Sequence, residues 1–293
     1  MSSQKKSSQQ KTITRIIDSP QPHWVGDGFL VRPLFADLAF QREISPFLML
    51  DYAAPAMFRP SDKPPGVGPH PHKGFETVTI VYDGEVEHRD STGAIGCIGP
   101  GDVQWMTAGS GLVHEEFHSR AAAKRGGVVS MSQLWVNLPK RDKSAPPHYQ
   151  DIRKEQIPDV PVGGGVVRVI AGEFGGARGP ATTFTPVQVW DVRLKAGDRT
   201  TLSLNEGDTA LLPVLAGKVK INGETEVAAS RFVMFSHAGA TIEIEALDDA
   251  ILLLLGGEPI DEPVVAYGPF VMNSQDEIRQ AMADYRAGKM GSL

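Results

Sequence analysis

The sequence predicts an all-β fold in two similar halves, closed by a C-terminal helix. Three observations carry that expectation. The 31 glycines and 22 prolines are spread between short β-branched runs rather than gathered in one block, the pattern of strands joined by tight turns. Candidate strands at 77–82, 84–89, 102–106, 132–137, 166–170, 187–194, 210–215, 217–221, 231–235, 241–245 and 250–255 recur about every ten residues, as in a β-sandwich or barrel. The run Val81-Tyr82-Asp83-Gly84-Glu85-Val86 is echoed by Val214-Leu215-Ala216-Gly217-Lys218-Val219, each a strand, a glycine turn and a strand.

The elements follow in order. Residues 1–12 are rich in Ser, Gln and Lys and read as a flexible tail. Residues 13–146 form an N-terminal domain. Prolines, charges and a triple glycine between 139 and 165 suggest an interdomain connection, with the boundary near 146. Residues 147–293 form a second domain, and a chain of 293 residues is the right length for two. The only helical pattern lies at its end, where Asn273 or Ser274 caps a segment running through Ile278, Met282 and Tyr285 to a stop near Gly288.

Composition excludes several function classes. Apolar residues at 41% and charged residues at 22% rule out extensive disorder. With 29 basic against 35 acidic residues and no long single-sign run, direct nucleic-acid binding is not expected. The longest strongly apolar run, at 250–255, falls far short of the roughly 20 residues that span a bilayer, so no membrane role is expected. The N-terminus, with charge but no apolar stretch behind it, is not expected to be a secretory signal, and the single cysteine, Cys97, cannot form an internal disulfide. A cytoplasmic location fits, with the nucleus also open in a eukaryote, and Cys97 is expected to be inert packing.

Five of the eight histidines, His70, His72, His88, His114 and His118, lie between Gly66 and His118. On an extended strand, positions i and i+2 share a face, so His70 and His72 enter one cavity and Glu76 falls on the same parity. His114 and Glu116 repeat the arrangement. An isolated His-x-His is common on the polar face of a strand, but two such pairs around a strand–glycine–strand hairpin supply up to three imidazoles and a carboxylate. That donor set suits divalent iron, manganese, nickel, cobalt or zinc, and the lack of thiolates argues against a closed structural zinc site. With three neutral imidazoles and one carboxylate, a divalent centre keeps a net charge of about +1, and a six-coordinate ion leaves two positions open. Anchoring the halves on Gly84 and Gly217 sets Ser203 and Asn205 against His70 and His72, and Thr209 against Glu76. Chemistry is therefore expected in the first half only. His88 and His118 are weaker candidates, His23, His148 and His237 have no partners, and Trp105, Phe47, Met49 and Phe75 read as core or cavity wall.

These motifs resemble the pirin family of the cupin superfamily. Pro69-His70-Pro71-His72-Lys73-Gly74-Phe75-Glu76-Thr77-Val78 is similar to the first cupin motif in its pirin form, and 100–109 followed by His114-Glu115-Glu116 to the second. Segments 46–51, 133–138 and 268–273 match further family stretches, so the resemblance runs from about residue 13 to 290. It implies two tandem jelly-roll-type cupin β-barrels with one divalent metal ion, iron(II) first among other first-row metals, in the N-terminal barrel. By position the family's ligands fall on His70, His72, His114 and Glu116. In many other cupins the acid of the first motif, here Glu76, is the ligand instead. The pirin pattern favours Glu116 as ligand, with Glu76 beside the ligands, and either acid as the catalytic proton acceptor. The implied activity is a quercetin 2,3-dioxygenase acting on a small phenolic substrate with loss of carbon monoxide. The alternative is an iron-dependent regulatory protein that binds a transcription factor or metabolic enzyme.

Overall fold

The predicted alternation becomes antiparallel pairing almost throughout. In the computed structural model, which describes residues 9–36 and 40–293, the chain divides into two units. One comprises Ser19–Ile157, Pro180–Thr185 and Ile260–Leu293. Its seven-stranded sheet runs His148–Ile152, Val103–Thr107, Phe75–Asp83, Gly127–Asn137, Phe47–Phe58, Phe29–Phe35 and His23–Val25. Its four-stranded sheet runs Gly66–His72, Leu112–His118, Val86–Asp90 and Ile95–Ile98. The other unit comprises the described residues up to Asp18 with Pro158–Gly179 and Pro186–Pro259. It repeats the plan, with a seven-stranded sheet from Ile13–Asp18 to Asp159–Val162 and a four-stranded sheet of Arg199–Ser203, Thr241–Ala246, Lys218–Ile221 and Thr225–Ala228. The all-β fold of two jelly-roll-type barrels with a terminal helix is the one the sequence predicts.

The division is not a single cut near 146. His148–Ile152 pairs with Val103–Thr107 in the barrel of the first half, whereas Ile13–Asp18 pairs with Arg231–Phe235 in that of the second. An unpaired sheet edge takes whichever strand reaches it, so sequence proximity does not decide membership. The segment with linker composition is accordingly structured, ending in a hairpin of Asp159–Val162 with Gly165–Ala171. The tail also differs from expectation at its end. Lys11 is buried, and its ammonium donates to the carbonyls of Asp208, Ser236 and His237 at 3.0, 3.1 and 3.0 Å. Residues 1–8 lie outside the described residues.

The terminal helix, Gln275–Arg286, follows its sequence signals. Ser274 Oγ accepts from the Glu277 amide, Asp276 and Glu277 sit in the first turn, and Ile278 and Ala281 face the core. It belongs to the unit holding the first half. Cys97 is not core packing but exposed. Its thiol is pushed up by partial burial of the sulfur and by Glu87 and Glu85, so it stays protonated and unreactive. Among the described residues no helix is long and apolar enough to cross a membrane.

The second barrel is filled with aliphatic side chains. Leu202, Leu204, Ile221, Ile242 and Ile244 lie in one buried cluster, while Ser203 and Asn205 are exposed. The first barrel instead surrounds polar groups, and its turns are pinned from outside. Gly74, at φ +89°, turns the chain between His72 and Phe75, and a Cβ there would collide with the Val271 carbonyl. The buried Lys143 ammonium donates to Gly74 O at 2.7 Å, Asn137 Oδ1 at 2.7 Å and Val271 O at 3.0 Å. Replacing it by Met leaves three buried acceptors without a donor. Lys143→Met is expected to lose about 3 kcal/mol of stability, read as a lowered urea midpoint at unchanged slope.

Candidate metal centre

The Gly66–His72 strand is an edge strand, which is why Pro69 and Pro71 are tolerated within it. The prolines leave His70 and His72 on one face. Antiparallel register sets His70 directly opposite His114, with ring centroids 4.3 Å apart. His72 lies 4.8 Å from His114 and 4.8 Å from His70 by the same measure. The ligand atoms of His70, His72 and His114 fall within 4.8 Å of one another, and a second trio, His88, His114 and Glu116, shares His114. Both lie in the first half, and no such group occurs elsewhere among the described residues.

Each imidazole of the first trio uses one nitrogen for orientation and leaves the other bare. His70 Nδ1 contacts Gly68 O at 2.9 Å, and as the carbonyl only accepts, Nδ1 carries the proton and Nε2 the lone pair. His72 bonds the Pro269 carbonyl, while its buried Nδ1 has no partner. His114 Nδ1 lies 3.3 Å from His88 Nδ1, and its buried Nε2 has no partner. Asp90 fixes the direction of that chain. Burial works against its ionisation, but hydrogen bonds from His88 and Thr92 hold its carboxyl below the ordinary carboxylate range. His88 Nε2 therefore donates to Asp90 Oδ2 at 3.1 Å. With Nε2 as the His88 donor, its Nδ1 accepts from His114 Nδ1–H, which leaves His114 Nε2 free for a cation. Burial pushes His72 down to about 3, and His114 well below its usual range. Both rings are neutral at physiological pH, as metal ligation requires.

Glu116 reaches across the barrel to the other sheet. Its Oε1 accepts from Gln104 Nε2 at 2.8 Å and its Oε2 from Gln133 Nε2 at 3.2 Å. Thr79 Oγ1 lies 2.6 Å from Gln133 Oε1 and 3.3 Å from Glu116 Oε1, and its single proton goes to the nearer acceptor. The Tyr149 hydroxyl donates to Gln104 Oε1 at 3.2 Å, fixing that amide, and the Tyr149 ring stacks on His88 at 4.7 Å. Gly96 makes room for this tyrosine, since a Cβ there would strike its hydroxyl.

Glu76 is not brought into either trio. The Gly74 turn reverses the chain between His72 and Phe75, so the parity expected across it is lost. On its own strand Glu76 is three residues from Thr79, hence on the opposite face of the sheet. There its carboxylate accepts from Thr107 Oγ1 at 2.8 Å. Burial pushes the Glu76 carboxyl up to about 7, with the Thr107 bond working the other way. Of the weaker candidates, His88 joins the cluster. His118 is buried elsewhere, its Nε2 2.8 Å from Gly28 O, and His23, His148 and His237 are exposed. Trp105 and Phe47 are core. Phe75 is also fully buried and stacks near His72 and Trp135.

Beside the trio lies a cavity of about 270 Å³. Phe29, Met49, Met131 and Trp135 form apolar walls, and His70, His72, Glu116, Gln133 and Asp51 supply polar groups. Sequence reading missed Asp51, Asp90, Gln104, Gln133 and Tyr149. A signal existed for one of them, as Asp51 is the one charged residue in the otherwise apolar strand Phe47–Phe58.

Two family profiles match the chain, Pirin over residues 28–136 and Pirin C-terminal cupin domain over 189–291. The chain belongs to the pirin family. Among its relatives is a protein of Pseudomonas aeruginosa named as a candidate quercetin 2,3-dioxygenase, 52% identical over 281 residues, covering 95% of this chain and 98% of the relative. A pirin-like protein of Caulobacter vibrioides is 41% identical over 247 residues, covering 83% and 87%. A crystal structure of quercetin 2,3-dioxygenase from Acinetobacter baumannii superposes with a TM-score of 0.95 at 48% identity, covering 97% of this pirin and 99% of that chain.

The carboxyl that this pirin buries outside the cluster leaves a pH signature. Glu76 titrates near 7 when folded against 4.5 for its ordinary value, so the folded state binds more protons between those values. Its contribution is intact below about pH 4.5 and is lost as pH rises through 7, at a cost on the order of 3 kcal/mol. Glu76→Gln removes the charge. Urea midpoints of metal-free protein should show the variant gaining on the parent at pH 8 relative to pH 5.

Proposed function

We propose that this pirin is a metal-dependent dioxygenase of the quercetin 2,3-dioxygenase type, acting on a flavonol-like phenol. The observation that carries the reading is the apolar cavity lined by His70 and His72, two of three clustered imidazoles, with His114, that each leave one ring nitrogen bare. At about 270 Å³ it sits near the lower end of small-molecule sites, roughly 300–1,000 Å³, which suits one compact aromatic ligand. The names of the Pseudomonas and Acinetobacter proteins support the same chemistry.

The ligands we assign are His70, His72, His114 and Glu116, with iron(II) the first choice of ion. Two buried, unpartnered ring nitrogens and a nearby carboxylate fit a divalent first-row cation. Such an ion, when bound, supplies Lewis acidity that lowers the pKa of a substrate hydroxyl. The chain's own residues do the rest. Asp90 and His88 hold the His114 ring in its ligating tautomer, and Gln104 and Gln133 aim the Glu116 carboxylate. Phe29, Met49 and Trp135 exclude water and orient the planar substrate beside dioxygen. Both oxygen atoms enter the organic product, and one substrate carbon leaves with its oxygen as carbon monoxide.

Oxygen uptake by the Fe(II)-loaded protein, given a small panel of flavonols, tests the reading. Uptake that is lost in His114→Ala protein is the expected result. Absence of uptake in protein holding one iron per chain would overturn it. Elemental analysis checks the ligand set separately, with Glu116→Ala expected to lose far more metal than Glu76→Ala.

A further inference from the structure

A row of polar side chains crosses the seven-stranded sheet and faces the metal-ligating residues. Register sets Gln104 opposite Thr79, Thr79 opposite Gln133 and Gln133 opposite Asp51. All four share one face, because directly opposed residues point the same way. The first three are spent on Glu116, directly or through one another. The carboxyl of Asp51, the last in the row, makes no hydrogen bond or ion pair among the described residues, and it lines the cavity with His70, His72 and Glu116.

Asp51 is thereby separated from Glu76 and Glu116, the two carboxyls the sequence offers for proton transfer. Glu76 is on the far face of the sheet, bonded to Thr107. Glu116 is held by two amide donors. We infer that Asp51 is the catalytic base of this site, accepting the proton of the phenolic hydroxyl that the cavity positions for reaction. The inference deepens the dioxygenase reading and rests on it.

In the step, the substrate O–H bond breaks heterolytically and its electron pair stays on oxygen. The proton moves to an Asp51 carboxylate oxygen, so one anion is exchanged for another and no electron is gained or lost. Asp51 is half-buried, which lets bulk water take the proton away afterwards. Burial pushes its carboxyl up to about 6, opposed by His23. A base whose pKa lies just below working pH is mostly unprotonated yet still has useful proton affinity. The groups facing it are few. His23 comes from the His23–Val25 strand; His70, His72 and Glu116 lie across the cavity; the flanking partners Gln133 and Pro33 are uncharged.

The test is an anaerobic titration of the nickel(II)-loaded protein with quercetin at pH 7, read by absorption. The wild type is expected to show the long-wavelength band of the bound flavonol anion. Asp51→Asn, with nickel content unchanged, is expected to bind quercetin with the neutral band until the pH is raised by a unit or more. Its Fe(II)-supported oxygen uptake at pH 7 should fall about 100-fold, and Asp51→Glu should restore the anion band. An Asp51→Asn protein with the wild-type band at pH 7, or an Asp51→Glu protein behaving like Asp51→Asn, would overturn the assignment alone. If wild-type protein holding one nickel leaves the quercetin spectrum unchanged, the flavonol reading falls and the role of Asp51 with it.

Discussion

The antiparallel register between Gly66–His72 and Leu112–His118 is the constraint on which the site depends. It places His70 opposite His114, and the irregularity between His114 and Glu116 then sets Glu116 against Val67 rather than Gly68. A slip of one residue would turn His70 and His72 to the other face and bring Pro69 and Pro71 inward. On its other side the same central strand sets His114 against Asp90 and Glu116 against His88. One strand therefore fixes the clustered imidazoles and the groups that orient them. The facing sheet contributes by the same logic, since its polar row is a consequence of register in three successive strand pairs.

Such a cluster is costly without an occupant. Two buried ring nitrogens lacking partners each carry a desolvation penalty of about 1–3 kcal/mol, and the imidazoles repel one another's protonated forms. The second barrel shows what the scaffold does when stability alone is served. It fills the same kind of space with Leu202, Leu204, Ile221, Ile242 and Ile244, side chains that contribute apolar burial and leave nothing unsatisfied. The first barrel gives up part of that stabilisation to hold a polar centre, and the buried Lys143 compensates by tying Gly74, next to the ligand strand, to Val271.

Much of this was legible in the sequence because it follows from local period. Strand–turn–strand spacing, the cap at Ser274, and the grouping of His70, His72 and His114 all rest on short-range pattern. What failed depends on long-range pairing. Nothing near His148–Ile152 or Ile13–Asp18 states which sheet edge each will join, so the division near 146 could not be read. Glu76 was misplaced because parity was carried through Gly74, where a positive φ reverses the chain. His88 and Asp90 have the same i, i+2 spacing as His114 and Glu116, yet only the tertiary register pairs His114 with His70 and leaves Asp90 bonded to His88.

The acidic residues make the point most sharply, since Asp51, Glu76 and Glu116 are chemically near-equivalent in the sequence and occupy three different environments. Glu116 is held in place by two amide donors, one on each carboxylate oxygen. Glu76 has almost no water, so burial outweighs the hydrogen bonds from Thr107 and Trp105 and its proton is retained near neutrality. Asp51 has apolar neighbours on one side, partial contact with water on the other and no donor to hold it, so its charge is available to whatever enters the cavity. Environment therefore assigns anchoring to the first, structure to the second and reactivity to the third, a division that counting acids along the chain does not reveal.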